Sequence, residues 1–213
     1  MPVANDPSLS IRAAIAADAD DAVPLIYSSG PAAFDYVFSH DRPGRALEFL
    51  RHAFVDGAGE FGYRNHVVAV RDGAVVAAGA AWDGRVALGF TIAAAVQILR
   101  FYGPLGAWGV IVRGLRVEHV IRPPTADEYY VAHLGVRAEF RGGGIGACLT
   151  RHLLAAADPG RHRVAALDVA VTNPRAEALY ARLGFKVDSL RRCALASGHH
   201  AVADHRRMSR PLP

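Results

Sequence analysis

The chain is 213 residues long, enough for one well-filled hydrophobic core or for one domain that carries a sizeable insertion. Hydrophobic residues make up 52% and charged residues 21%, a composition that excludes a disordered chain and a coiled coil. The formal net charge is +4, but the basic residues are scattered and form no run with interleaved aromatic residues. We therefore expect one globular domain, residues 1–213, that binds no nucleic acid.

Cysteine content and hydropathy bear on the compartment. Cys148 and Cys193 are too few for a disulfide framework, and the first ten residues are polar rather than signal-like. The longest uncharged run lies between Arg85 and Arg100 and is shorter than the roughly 20 residues of a membrane-spanning helix. We expect a cytoplasmic protein with no membrane span.

The amino-terminal part predicts the order β-α-α-β-β, with the second helix split into two short pieces. In chain order the elements are a strand at 9–12, helices at 18–27, 33–39 and 45–54, and strands at 66–71 and 74–82. Asp72-Gly73 joins the last two strands and is typical of a type I′ hairpin turn. These two strands must therefore be antiparallel.

Residues 84–124 are unusually apolar and predict a helical insertion between the third and fourth strands. Helices are expected at 86–102 and 107–120, with Gly103-Pro104 between them and Pro123-Pro124 after them. Such a segment could cover a binding site, form a homodimer contact or rest on a membrane surface.

The carboxy-terminal part predicts alternating strands and helices followed by two closing strands. The elements are a strand at 128–136, a helix at 145–157, an apolar strand at 164–171, a helix from the Asn173-Pro174 cap to 183, and strands at 185–196 and 201–208.

The most informative segment is Arg141-Gly142-Gly143-Gly144-Ile145-Gly146-Ala147, where the strand at 128–136 gives way to a helix. Glycines allow positive φ and close approach of a ligand, while the first helical turn offers free N–H groups and positive potential. The segment predicts a polyphosphate site.

A dinucleotide site is one interpretation of these glycines. Gly142-x-Gly144-x-x-Ala147 fits the dinucleotide pattern, and Asp168 lies about 20 residues further on, where that fold keeps an acid for the ribose. However, too few βαβ units follow, and Asp168 falls inside an apolar strand rather than at its end. We set this interpretation aside.

The chain resembles the GNAT superfamily of acetyl-CoA-dependent N-acetyltransferases. Residues 141–146 fit its acyl-CoA signature, 133–136 resemble its bulged fourth strand, and 173–185, from Asn173 to Phe185, match its second signature. The resemblance is tight over 129–185. It implies an α/β GNAT fold: a mixed central sheet of about seven strands, mostly antiparallel and parallel at its centre, flanked by helices.

The resemblance also implies acetyl-CoA as co-substrate and assigns residues to it. The backbone N–H groups around the glycines hold the pyrophosphate, the fourth strand binds the pantetheine arm, and three side chains add contacts. These residues are Leu134, Gly135, Val136, Arg141, Gly142, Gly143, Gly144, Ile145, Gly146, Ala147, Asn173 and Tyr180.

Transfer to an amine needs one group that takes a proton and one that gives a proton to the departing thiolate. The resemblance assigns the acid to Tyr180. For the base, His133 is suitable because histidine ordinarily titrates near pH 6.5, while Tyr130 and Glu128 are alternatives on the same strand. An amine of low pKa needs no base.

The implied activity is N-acetylation of a primary amine by direct transfer in a ternary complex, with the acceptor, a small molecule or a protein, left open. The fold implies Phe34, Tyr36, His40 and Tyr63 as walls of the acceptor site. The alternative is a non-catalytic acyl-CoA-binding regulatory or membrane-peripheral module.

A metal site is a further candidate in the sequence, and we do not predict one. His199, His200 and His205 lack the spacing of a metal site, and Cys148 lies on an apolar helix face as a core residue.

Overall fold

The computed structural model describes residues 8–39, 42–197 and 200–212. The strands are β1 (Leu9–Ala13), β2 (His66–Arg71), β3 (Ala74–Trp82), β4 (Glu128–Val136), β5 (Val164–Ala170), β6 (Lys186–Arg191), β7 (Ala196–Ser197), β8 (His200–Ala201) and β9 (His205–Pro211). The helices are α1 (Ala19–Ser28), α2 (Pro31–Phe38), α3 (Arg45–Asp56), α4 (Ala87–Val117), α5 (Ile145–Ala155) and α6 (Pro174–Arg182).

Seven strands form one mixed sheet in the order β1-β2-β3-β4-β5-β9-β6. All neighbours are antiparallel except β4 and β5, which are parallel at the centre. This confirms the predicted fold class. The β2–β3 turn is of type I′, as predicted, because Asp72 and Gly73 both have positive φ, 51° and 81°.

The two faces of the sheet carry different helices. On one face α1 and α3 bury Ile26 and Phe54 against Val68 of β2. On the other face α5 buries Ile145 and Leu149 against β3, as its apolar periodicity predicts. Both sides of the central strands are therefore covered, which explains why β5 is almost entirely apolar.

The end of the chain differs from the prediction of two long closing strands. β6 stops at Arg191, and β7 and β8 form a separate small ribbon before β9 begins. Outside the sheet, the Cys193 N–H donates to the Asp204 carboxylate (2.8 Å) and the Val202 N–H donates to the Leu195 carbonyl (2.9 Å). These local bonds replace the sheet pairing that the continuous pattern predicted.

α4 lies between β3 and β4, where the insertion is predicted. It is kinked at Gly103 (φ 69°, ψ 171°), which corresponds to the predicted Gly103-Pro104 break, and it ends at Val117 instead of 120. Its inner side packs on α2 and α3: the Tyr102 hydroxyl donates to the Phe38 carbonyl (2.7 Å), and Phe101 lies edge-on to Phe49.

Candidate active site

A gap opens in the sheet between β4 and β5. The two strands pair over only three positions, ending at Tyr130 and Ala166, although they continue to Val136 and Ala170. Past Tyr130, no strand of the described chain pairs with this edge of β4. The β4–β5 gap therefore exposes backbone groups of β4 to a ligand that could lie along it like an added strand.

A bulge in β4 borders the same gap. Ala78 of β3 pairs with Gly135 whereas Ala80 pairs with Ala132, so two β4 residues, His133 and Leu134, stand opposite one of β3. His133 has a positive φ of 55°, which is unusual for a residue other than glycine. The bulge turns His133 toward the face that carries α4 and Leu134 toward the face that carries α5.

Gly135 is required by packing as well as by its place in β4. A Cβ atom at this position would lie 2.1 Å from the Leu25 carbonyl oxygen, so the backbone of α1 rests directly on the strand. Val136 follows, partly buried against the α5 face. The strand residues predicted to bind pantetheine are thus held in place by α1 on one side and α5 on the other.

The glycine turn leads from the end of β4 into α5. Gly142 and Gly144 have φ of 83° and 89°, and Gly144 caps α5 without a side-chain hydrogen bond to the first turn. The turn is exposed, so its N–H groups are open to an anion. The Arg141 Nε donates to the Val136 carbonyl oxygen (2.9 Å), which holds the guanidinium beside the end of β4.

Tyr180 and Asn173 lie on α6 and at its start. Tyr180 is buried in the apolar cluster that includes Val131 and Leu153, and burial raises the pKa of its phenol to about 12. In the part of the chain that the structure describes, the Tyr180 hydroxyl makes no hydrogen bond, so its proton is uncommitted. The Asn173 side chain accepts from the Ala176 N–H (3.1 Å) and caps α6.

A chain of hydrogen bonds passes through two buried histidines. His66 Nδ1 lies 2.9 Å from the Gly62 carbonyl oxygen, His66 Nε2 lies 3.1 Å from His133 Nδ1, and His133 Nε2 lies 3.2 Å from Glu60 Oε1. A carbonyl only accepts, so His66 must donate from Nδ1. A neutral His66 then accepts at Nε2, and His133 must donate from Nδ1.

The charge state of His66 follows from its surroundings. Burial is the main cause that lowers the pKa of His66, to about 3, and charge on His133 is a smaller cause in the same direction. The His66 ring is therefore neutral at physiological pH. With Nδ1 of His133 committed to His66, Nε2 is the one ring position of His133 that can gain or lose a proton. It faces the Glu60 carboxylate, which is partly exposed.

Aromatic side chains surround His133 and exclude water from its ring. Phe61 stacks on it at 5.2 Å between ring centroids, Trp82 lies at 5.4 Å and Phe34 at 6.2 Å. Phe34, predicted as a wall residue, is therefore beside the histidine. The site combines apolar walls with one polar opening at Glu60.

A second acidic group lies near that opening. Burial raises the pKa of Glu118, and the nearby Glu60 charge raises it further. Glu118 follows the last turn of α4. Two carboxyl groups from different segments therefore approach the entrance and favour a cationic ligand.

Tyr130 is committed to a buried ionic network. Its hydroxyl donates to Asp168 (3.0 Å), and Arg207 donates to the same Asp168 oxygen (2.7 Å) and to Glu128 (2.8 Å). Burial is the main cause that raises the pKa of Tyr130 well above its ordinary value, and the Asp168 charge is a smaller cause in the same direction. A catalytic role for Tyr130 stays a prediction, and this contact argues against it because the proton is held by a carboxylate.

Tyr36 and Tyr63, predicted as walls of the acceptor site, make no direct ring contact with His133. Tyr36 lines a shallow cleft with Trp108 and Arg116, and Tyr63 packs on Phe54 at 6.3 Å. His40 and His199 lie outside the described residues, as does the side chain of His200, and the buried His205 binds the Ala203 carbonyl. In the described parts of the chain no group of three or more His, Cys, Asp or Glu residues is placed to hold a metal ion.

Sequence reasoning missed Glu60, Phe61 and His66. Glu60 and Phe61 lie in the connection between α3 and β2, which carries no periodic pattern. His66 begins a strand and looks like an ordinary strand residue. Only the β3–β4 pairing and the bulge bring His133 beside them.

Comparison with known proteins agrees with this architecture. Residues 105–187 match the family model described as acetyltransferase (GNAT) domain. An N-acetyltransferase from Staphylococcus aureus Mu50 is 20% identical with a TM-score of 0.66, the match covering 94% of this chain and 100% of that chain. No match was found among proteins of curated function.

Two further solved structures share the fold. A phosphinothricin acetyltransferase of the GNAT superfamily from Sinorhizobium meliloti, determined with AcCoA, is 20% identical with a TM-score of 0.56, covering 96% of this chain and 89% of that chain. A GCN5-related N-acetyltransferase from Kribbella flavida is 20% identical with a TM-score of 0.57, covering 96% of this chain and 98% of that chain.

Proposed function

We propose that this chain is an acetyltransferase of the GNAT superfamily and that it moves an acetyl group from acetyl-CoA to a primary amine by direct transfer in a ternary complex. The observation that carries the proposal is the β4–β5 gap. The glycine turn, whose N–H groups have no side-chain cap, lies at its end, with His133 on one face of the sheet and Tyr180 on the other. Donor binding and two proton transfers are all accounted for by residues at this gap.

Acetyl-CoA would bind along the gap. Its pyrophosphate fits the turn, where the N–H groups of Gly142, Gly143, Gly144, Ile145, Gly146 and Ala147 and the dipole of α5 supply positive potential. Its pantetheine amides match the unpaired edge of β4 at Leu134, Gly135 and Val136. The co-substrate supplies an activated thioester, and the chain positions it.

The His133–Glu60 pair would take the proton of the amine. In a neutral His133 whose Nδ1 donates to His66, Nε2 carries no proton. Nε2 lies 3.2 Å from the Glu60 carboxylate, and a hydrogen bond between these two acceptors forms only when Nε2 is protonated. A proton taken from the amine completes an Nε2–H···Oε1 hydrogen bond, and the carboxylate stabilises the imidazolium. Glu60 and Glu118 also favour the approach of an ammonium group.

Tyr180 would return a proton to the departing thiolate. Because its phenol pKa is raised to about 12, the group is protonated throughout the physiological range. Its hydroxyl proton is uncommitted, unlike that of Tyr130, which is bound to Asp168. Tyr180 is therefore the better proton donor of the two tyrosines.

Two measurements test this function. Isothermal titration calorimetry with acetyl-CoA should show binding at micromolar concentration, and a thiol-release assay over polyamines, amino acids, aminoglycosides and protein N-termini should identify an amine that is turned over. Absence of acetyl-CoA binding would remove the proposal. Binding without thiol release for every acceptor class would leave only a non-catalytic acyl-CoA-binding module.

The base is tested by His133→Gln. We expect kcat to fall by about 10²–10³-fold and the acidic limb of the pH–rate profile to disappear, since Gln cannot exchange a proton at Nε2. His162→Gln is the matched control: His162 is also buried and bonded to a carboxylate, at 3.0 Å from Asp83, but lies just before β5, at the end of that strand opposite to the gap. An unchanged profile in His133→Gln would exclude His133 as base.

A further inference from the structure

The outer face of α4 carries an apolar surface that the proposed reaction does not use. Within Gly84–Val117 an 18-residue window has a mean hydropathy of 1.5 and only 11% of that window is buried, so by length and composition alone the helix could cross a membrane. We infer that this face binds in the plane of an anionic lipid membrane. The inference is independent of the proposed acetyl transfer.

The exposed apolar side chains form one stripe on each half of α4. Before the kink the stripe has the helical spacing i, i+4, i+8 and i+11; after it, the residues are separated by three and seven positions. The residues, with exposed fractions, are Leu88 73%, Ile92 57%, Val96 39%, Leu99 47%, Leu105 97%, Trp108 72% and Leu115 55%. We call these seven side chains the α4 stripe.

Two features indicate that α4 lies on the membrane instead of spanning it. The kink at Gly103 divides it into halves of 87–102 and 104–117, each shorter than the roughly 20 residues needed to cross the hydrocarbon core. The inner side is fixed to the domain by polar bonds, from Gln97 to Asp56 (2.8 Å) and from Arg113 to the Val37 carbonyl (3.1 Å). A spanning helix would break these bonds.

The charge of the segment selects an anionic membrane as partner. Residues 84–117 contain Arg85, Arg100, Arg113 and Arg116 and no Asp or Glu. The Arg100 side chain, next to the first half of the stripe, is 66% exposed and lies 3.6 Å from Asp56; Arg85 is 48% exposed and lies 3.6 Å from Asp83. Arg113 faces inward to the Val37 carbonyl, and Arg116 is exposed. An apolar face with arginines along its border and a tryptophan in its middle is the composition of helices that bind at the lipid interface.

The same charges disfavour a second copy of this chain. A twofold interface built on the α4 stripe would bring identical arginines from both copies together. Residues 84–117 contain no acidic side chain, and the neighbouring Asp56 and Asp83 already lie against Arg100 and Arg85 of their own copy. Lipid phosphates, by contrast, neutralise each arginine that reaches the surface. The observations therefore favour the membrane.

Vesicle binding tests the inference on the full chain. We expect the protein to float with vesicles of phosphatidylcholine containing phosphatidylglycerol and to remain in solution with phosphatidylcholine alone. Trp108 is a native reporter: its emission should shift to shorter wavelength on binding, whereas Trp82, already buried at 8% exposure, should not change. Equal binding to both kinds of vesicle would overturn the proposal.

Variants locate the surface. The double variant Leu105→Ser/Trp108→Ser should weaken vesicle binding by about tenfold or more, and Arg100→Gln should weaken it about fivefold. Circular dichroism should show that both variant proteins remain folded. Leu190→Ser on β6, 50% exposed, is the matched control and should bind like the wild type. Unchanged binding in the double variant would contradict the inference.

Sedimentation velocity without lipid tests whether a second copy of this chain covers the α4 stripe. We expect a monomer. A dimer in the wild type that the Leu105→Ser/Trp108→Ser variant dissociates would show that a second copy covers the α4 stripe, and would overturn the membrane inference.

Discussion

Burial sets the protonation of two residues of the candidate site, Tyr180 and His66. The phenol of Tyr180 is kept neutral because its apolar surroundings raise its pKa to about 12. The ring of His66 is kept neutral because burial lowers its pKa to about 3, which fixes the direction of the hydrogen bond from His133. Neither property is visible from residue type, since the ordinary values are near 10 and 6.5.

The substitution Tyr180→Phe tests whether the Tyr180 phenol gives its proton to the departing thiolate. We expect kcat to fall about 10²-fold or more while the dissociation constant for acetyl-CoA changes less than about threefold, because Phe fills the same space and lacks only the proton. Since the phenol ionises near 12, it should contribute no alkaline loss of activity below about pH 10.

The control for this substitution is Tyr129→Phe, a buried tyrosine near the start of β4 whose ring lies 4.9 Å from that of His162, where β4 is still paired with β5. It should leave both constants unchanged. Equal turnover in wild type and Tyr180→Phe would mean that the thiolate receives its proton from another group or from water.

At the scale of elements, the glycines near the gap serve two different physical purposes. Gly135 is needed because a Cβ would meet the Leu25 carbonyl oxygen at 2.1 Å, a steric requirement that only the packing of α1 reveals. Gly142 has open space around it and is needed for its φ of 83°. The sequence signature at 141–146 therefore encodes backbone shape rather than a tight fit.

Gly142→Ala should distort the turn that we propose for the pyrophosphate. A left-handed φ costs a residue with a Cβ about 1–2 kcal/mol, so we expect acetyl-CoA affinity to fall about tenfold as the turn shifts toward negative φ. Calorimetry with acetyl-CoA measures the change.

Gly89→Ala is the matched control for this turn variant. Gly89 also has nothing within 4 Å of a built Cβ but lies in α4 with ordinary φ, so alanine there should stabilise the helix by up to about 1 kcal/mol and leave affinity unchanged. Equal affinity in both variants would indicate that the anion does not bind at Gly142.

For the whole molecule, the β4–β5 gap is also a structural weakness. Only three residue pairs join β4 to β5, yet these strands connect the two halves of the sheet. The buried network around Asp168 bridges them, because it links Tyr130 and Glu128 of β4 to Arg207 of β9. The fold thus keeps the gap open while holding its two sides together by charge.

Asp168→Ala should lower the free energy of unfolding by about 3–5 kcal/mol, because it leaves the buried Arg207 without its main partner. Urea denaturation gives the value. Glu177→Ala removes the more exposed ion pair with Arg206 (2.8 Å) and should cost about 1 kcal/mol or less. Similar losses in both variants would show that the buried network does not bridge the sheet.

The sequence alone was sufficient for most of the elements before the closing strands and for the backbone shape of the glycine turn. It predicts β2, β3 and β4 with the bounds that the structure has, the type I′ turn at Asp72-Gly73, the break at Gly103 and glycines with positive φ in the turn before α5. These features depend on local backbone preferences and on hydrophobic periodicity, which neighbouring residues encode directly.

Tertiary structure alone decided the proton path and the accessible surfaces. Glu60, His66 and His133 come from three separate segments, and Asp168 finds its partners on β4 and β9. Likewise, the apolar pattern of residues 84–117 predicts helices but not which side of them stays exposed. Burial, hydrogen-bond direction and exposure depend on what packs against a residue, and that is fixed by contacts distant in sequence.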